Sequence, residues 1–146
     1  MTQALLSARR AFLHDDVPIG AVIVRDGKII ARGENMVQLK KNPTLHAEIV
    51  AINRACKKLG AKFLDDCDIY VSLEPCAMCA TAISLARIRT VYFAATDAKG
   101  GGITSNARIY DTDKHLWKPN VVQIPDFADE SAALLKEFFA LRRVKK

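Results

Sequence analysis

The chain contains no apolar run near the roughly 20 residues that span a bilayer, so no membrane partner is expected. Its first ten residues, Met1-Thr2-Gln3-Ala4-Leu5-Leu6-Ser7-Ala8-Arg9-Arg10, lack the order of basic end, apolar stretch and small-residue cleavage site that marks an export signal. They read as the start of an amphipathic helix, and a cytoplasmic location is the expectation. Internal repeats, low-complexity stretches and linkers are absent too, and 146 residues are expected to form a single domain, 1–146, around a sizeable core. Cysteine is scarce. The four present could form two disulfides, but cytosolic thiols stay reduced. Cys76 and Cys79 are therefore read as thiolate ligands, and Cys56 and Cys67 as buried small hydrophobes. Acidic residues number 16 against 22 basic ones, a formal charge of +6 that does not by itself identify a polyanionic partner. The run Arg142-Arg143-Val144-Lys145-Lys146 concentrates part of that excess, on a helix end where cations suit the dipole.

Hydrophobic periodicity gives the elements. A helix is expected over Thr2 to His14, and Gly20–Arg25 and Lys28–Gly33 read as strands of a hairpin turning at Asp26-Gly27. Asn42-Pro43-Thr44 should start a helix running to about Lys58, with Gly60 as its stop. Asp68–Leu73 reads as a central strand, and Pro75 suits the first turn of the next helix, through Ala80, Ile83 and Leu85. Thr90–Ala95 is a further strand and Val121–Ile124 a short last one, followed by a closing helix over Glu130 to Arg143. This alternation predicts an α/β fold with a mixed sheet and helices on both faces. Residues 97–119 make a long glycine-containing connection, the first candidate for a substrate-contacting surface.

The chemistry lies in two short motifs, His46-Ala47-Glu48 and Pro75-Cys76-Ala77-Met78-Cys79. One histidine and two cysteines are zinc donors that leave a tetrahedral position open, the mark of a catalytic site. Water admitted there has its pKa lowered to about 7, and Glu48 is the group that would move its protons. Cys76 and Cys79, three apart, point the same way from the first turn of a helix. His46 and Glu48, two apart, can serve one site only if it lies over a helix end. The metal is thus expected between two helix N-termini, at the C-terminal edge of the sheet. A redox CxxC would not need His46, and a structural site would need a fourth ligand, with only His14 and His115 as further histidines.

These motifs form the signature of the zinc nucleobase deaminases. With Val17-Pro18-Ile19-Gly20-Ala21-Val22, Asn42-Pro43-Thr44-Leu45, Tyr70-Val71-Ser72-Leu73-Glu74, Asp97-Ala98-Lys99 and Phe138-Phe139-Ala140-Leu141-Arg142-Arg143, the chain resembles the bacterial tRNA-specific adenosine deaminases (the TadA family) of the zinc-dependent cytidine and deoxycytidylate deaminase superfamily. The resemblance implies a three-layer α/β/α cytidine-deaminase-like fold on a mixed five-stranded sheet, one Zn2+ per subunit and a homodimer. It implies hydrolysis of the wobble adenosine of a tRNA anticodon stem-loop to inosine, with the target base flipped out. His46, Cys76 and Cys79 match the zinc ligands, Glu48 the proton shuttle, and Asn35 a residue that hydrogen-bonds the target nucleotide. Asp97, Lys99 and Arg142 match positions near bound RNA. Asp97 could equally cap a local turn, and of Phe138 and Phe139 one can face the core while the other packs at the mouth of the site. Gly100–Tyr110 departs from the family's usual run, and Trp117 is read as packing under the loop. Two other readings use the same residues: a deaminase of a free base or nucleoside, of guanine or cytosine type, and a non-catalytic zinc protein that binds RNA.

Overall fold

The computed structural model describes residues 1–144; Lys145 and Lys146 of the basic C-terminal run lie outside the described residues. Six α-helices and five strands alternate along them: α1 (Thr2–Leu13), β1 (Gly20–Arg25), β2 (Lys28–Glu34), α2 (Val37–Lys40), α3 (Ala47–Leu59), β3 (Asp68–Leu73), α4 (Ala77–Leu85), β4 (Thr90–Ala95), α5 (Ile109–Thr112), β5 (Asn120–Gln123) and α6 (Ala128–Val144). The strands form one sheet in the order β2-β1-β3-β4-β5. The β1–β2 hairpin is antiparallel, as is β1 against β3, whereas β3, β4 and β5 run parallel. The sheet is mixed, as the element pattern predicts. Helices α1 and α6 cover one face, and α3 and α4 the other, with α5 against α4. None of the described helices is long and apolar enough to cross a membrane.

The core lies between these layers, and Ile23, Ile69, Val71, Ile83, Ile88 and Val91 are fully buried in it. Gly33 brings α3 down onto β2: a Cβ there would stand 2.3 Å from the Ala47 carbonyl oxygen and 2.6 Å from the Ala51 nitrogen. The first turn of α3, which carries the His46 motif, therefore rests directly on the sheet.

Helix α3 begins at Ala47 and not at Thr44, because the Asn42 side chain captures the Thr44 amide and hydroxyl in a local turn. The four-residue α2 is a further element that the hydrophobic pattern is too short to announce. Pro75 stands outside α4, whose N-cap is Cys76. Helix α6 begins two residues early, directly after a 3-10 turn at Pro125–Phe127.

The parallel pairing of β4 and β5 redirects the 97–119 connection. It leaves the C-terminal end of β4 and must return along the sheet to the edge where β4 began. Only its first part borders the ends of β3 and β4. The Tyr110 hydroxyl donates to the Ala80 carbonyl at 2.7 Å and pins α5 to α4. Trp117 is 49% exposed at the opposite edge, and the Arg87 guanidinium lies 5.7 Å from its ring centroid and 4.2 Å from that of Phe63. Trp117 does not pack under the loop.

Candidate active site

Helices α3 and α4 start side by side at the C-terminal edge of the sheet, and their N-cap residues are His46 and Cys76. Both caps have extended backbone and neither side chain bonds its own helix, so imidazole and thiol are free to face one another. The capping of α3 falls to Asn35, whose Oδ1 accepts the Ala47 amide at 2.8 Å. Cys79, one turn into α4, aims at the same point. His46 Nδ1 lies 3.6 Å from the Cys76 Sγ and 3.6 Å from the Cys79 Sγ. All three donor atoms fall within 4.8 Å of one another.

This set fits zinc. Bonds of about 2.3 Å to sulfur and about 2.0–2.1 Å to nitrogen at a tetrahedral angle hold N and S about 3.6 Å apart, the separation found at both sulfurs. The electrostatics agree. A hydrogen bond from Cys79 is the main cause that holds the Cys76 thiol down to about 4; burial opposes it and His46 assists. Cys79 is pushed up, first by that shared hydrogen bond and then by burial. His46 is raised, chiefly by its bond to Cys76. A divalent ion bound by these three atoms would take the place of the proton between the two sulfurs.

Glu48, in the first turn of α3, is 3% exposed. Burial raises its pKa above the ordinary carboxylate value, the Cys76 charge adds to this, and its own amide and Cys79 oppose it. A carboxylate held in this way gives and takes protons closer to neutrality than an exposed one.

The other residues singled out in the sequence divide. Asn35 is buried at the start of α3, with its oxygen committed to Ala47 and its NH2 group left to donate. Asp97 caps a local turn: its Oδ1 accepts the Lys99 and Gly100 amides at 3.2 and 3.0 Å. Lys99 is exposed on that turn. With Leu73, Ala95 and Phe139, Asp97 and Lys99 line a cleft of about 490 Å³. Phe138 is 2% exposed in the core and Phe139 46% exposed on this cleft. Arg142 is tied down elsewhere: it donates to the Asp15 carbonyl and covers the Phe138 ring at 4.6 Å. Cys67 is fully buried, its thiol pushed up to about 12 by burial, whereas Cys56 is half-buried. Glu74 is the polar residue the sequence reading missed. It is 2% exposed, two residues before the candidate metal donor Cys76, and the available signal was a carboxylate placed between an apolar strand and a proline.

Comparison with known proteins adds four observations. The MafB19-like deaminase family model matches residues 1–143. A tRNA-specific adenosine deaminase from Agrobacterium fabrum (strain C58) is 46% identical over 145 residues, spanning 99% of this chain and 94% of that protein. A solved tRNA:A34 deaminase, from work on A-to-I editing at the wobble position of transfer RNA, superposes with a TM-score of 0.89 at 46% identity, covering 92% of this chain and 97% of that one. A Bacillus subtilis (strain 168) guanine deaminase is 52% identical, but over 99 residues only, 66% of this chain and 64% of that protein.

Proposed function

The chain belongs to the MafB19-like deaminase family, and from that premise we propose that it hydrolyses the wobble adenosine of a tRNA anticodon loop to inosine. The carrying observation is the convergence of His46 Nδ1 and both cysteine sulfurs at 3.6 Å, beside a buried carboxylate whose pKa is raised. His46, Cys76 and Cys79 would hold one zinc ion. When bound, zinc supplies a Lewis acid that makes water a nucleophile at neutral pH.

The chain's own groups do the rest. Glu48 takes a proton from the attacking water and gives it to the purine ring nitrogen beside the reacting carbon. With the water oxygen now bonded to that carbon, Glu48 carries the remaining hydroxyl proton to the exocyclic nitrogen, so the C–N bond breaks, ammonia leaves and the C–O bond becomes the carbonyl. Asn35 offers its NH2 group to an acceptor on the flipped nucleotide, since its oxygen is already bonded to Ala47. Asp97 shapes the turn that presents Lys99 to the RNA backbone.

The likeness to tRNA deaminases supports an RNA substrate because it is the stronger: a TM-score of 0.89 at 46% identity, against 0.64 at 37% for a solved guanine deaminase that also spans nearly the whole chain. Helix α4 is apolar nearly all round, yet Met78 and Leu85 are exposed on it. A helix of this kind is suited to cover by a second copy, which supports a homodimer. A tRNA substrate implies action in the cytoplasm. The test is a deamination assay on zinc-loaded protein with an anticodon stem-loop bearing a wobble adenosine, free adenosine and free guanine. Inosine from the stem-loop alone is expected; product from a free base or nucleoside alone would replace this reading with the free-substrate one.

A further inference from the structure

Immediately after β4, residues 97–107 fold around a single side chain. Glu74 Oε2 accepts the backbone amides of Ile103, Thr104 and Ser105 at 3.1, 3.0 and 3.0 Å. Its Oε1 accepts the Asp97 amide at 3.2 Å and the Ser105 hydroxyl at 2.6 Å. The backbone on either side of that carboxylate is held as well. The Glu74 amide donates to the Ala95 carbonyl at 2.8 Å, and the Pro75 carbonyl accepts the Gly102 amide at 2.7 Å. The glycine run makes the approach possible. A Cβ on Gly101 would stand 2.4 Å from Glu74 Oε2, and one on Gly102 would stand 2.5 Å from the Ala77 nitrogen and 2.6 Å from the Cys76 carbonyl carbon.

We propose that Glu74 is the positioning residue of the substrate loop: its carboxylate folds residues 97–105 and fastens them to the turn that presents Cys76. Apolar burial does little to order the loop. Thr104, Asn106, Ala107 and Arg108 are exposed, and Ile103 is its buried apolar side chain. A short surface loop of this kind lacks the apolar burial that normally offsets the entropy of ordering. A buried anion satisfied by five donors is a strong substitute. Because the same residue adjoins Pro75 and Cys76, the cleft-lining turn at Asp97–Lys99 and the metal-ligand turn are held in one frame. The loop-holding role stands on this geometry, and its consequence for RNA rests on the function proposed above.

The test compares zinc-loaded wild-type protein with Glu74→Gln and Ser105→Ala. Measured for each are zinc stoichiometry, amide hydrogen exchange at residues 103–105, and kcat and KM on the anticodon stem-loop. Glu74→Gln is expected to keep its zinc, to exchange those amides at least about tenfold faster, and to raise KM about tenfold with kcat within about twofold. Ser105→Ala removes one donor from the same hub and should raise KM about threefold, which keeps the proposal testable if the Gln variant does not fold. Unchanged exchange in either variant would overturn the loop-holding role. Loss of zinc with the loop amides still protected would reassign Glu74 to the metal site, and a fall in kcat at constant KM would mean that the loop does not meet substrate. If wild-type protein leaves the stem-loop untouched, the functional reading falls, while the exchange rates still decide what Glu74 holds.

Discussion

Glu48 and Glu74 are a natural pair. Each lies two residues from a candidate metal donor, at the start of α3 and just ahead of α4, and each is almost fully buried, at 3% and 2% exposed. Their proton affinities move in opposite directions. At Glu48 burial dominates, and the nearby Cys76 charge adds to it, so the carboxyl is raised. At Glu74 burial also pushes upward, but the Ser105 hydroxyl and the amides of Asp97, Ser105 and Ile103 outweigh it, and the carboxyl is lowered. Depth therefore does not decide what a buried carboxylate does; the number of donors aimed at it does. Glu48 has few and remains available for proton transfer. Glu74 is saturated and remains an anion, useful for what it holds.

Replacement of Glu48 is the sharpest way to break that contrast. Glu48→Gln should lower kcat by about 10²–10⁴-fold while zinc content and thermal stability stay close to wild type. Steady-state rates beside metal analysis and a melting curve would show it. Substantial activity in Glu48→Gln, or a larger kcat loss in Glu74→Gln than in Glu48→Gln, would invert the two roles.

The next largest effect belongs to Glu74's loop. In Gly102→Ala the new Cβ meets only backbone, at 2.5 to 2.7 Å from Ala77 and Cys76, so either the loop or the first turn of α4 must move. The expected loss is about 1–3 kcal/mol, together with weaker zinc binding. Gly100→Ala is the control, because its Cβ meets the movable end of the Asp97 side chain at 2.9 Å. Chemical denaturation of the pair should separate them clearly, and equal stabilities would mean that the loop is not docked as tightly as Glu74's hydrogen bonds require.

Much of this site is legible in the sequence, for reasons tied to particular residues. The spacing of Cys76 and Cys79 fixes a shared direction on any helix, and the mismatch between His46 and Glu48 forces the site over a helix end, where the structure has it. The strands are legible because β1, β3 and β4 are short apolar runs bounded by turn residues. What stays hidden depends on partners distant in sequence. Glu74 reads as an ordinary strand-end acid until residues 103–105, about thirty positions on, close over it. Asn42's capture of Thr44 delays α3 in a way that hydrophobic periodicity does not register. Arg142 reads as a free cation until the turn at Asp15 occupies it.

A smaller effect sharpens the Glu48 side, where the protons are. Zinc binds two thiolates and a neutral imidazole. At neutral pH Cys76 is already a thiolate, held down to about 4 chiefly by the hydrogen bond from Cys79. Cys79 is raised by that same bond and by burial, and His46 is raised by its bond to Cys76, so both hold their protons more tightly than the free groups do. The sign follows: metal uptake releases protons and affinity rises with pH. Competition with a chromophoric chelator at two values one pH unit apart, both near neutral, should show about tenfold tighter binding at the higher one for each proton displaced. An affinity independent of pH would mean that Cys79 is already ionised and His46 already neutral in the metal-free protein, and that Glu48 works in a more negative site than the raised Cys79 thiol implies.

The smallest expected effect marks where Glu74's influence ends. The connection that it anchors continues to Trp117, but parallel β4–β5 pairing carries that residue to the far edge of the sheet. There the Trp117 ring faces Arg87 and not the metal-ligand turn. Trp117→Ala removes a half-exposed ring and one cation–π contact, worth about 0.5–1 kcal/mol at such a site. It should leave kcat and KM on the stem-loop within about twofold of wild type, since nothing couples it to residues 97–105 except chain that α5 already fixes on α4 through Tyr110. A rise in KM matching that of Glu74→Gln would show that RNA reaches the far edge, and that the loop serves substrate along its whole length and not only where Glu74 holds it.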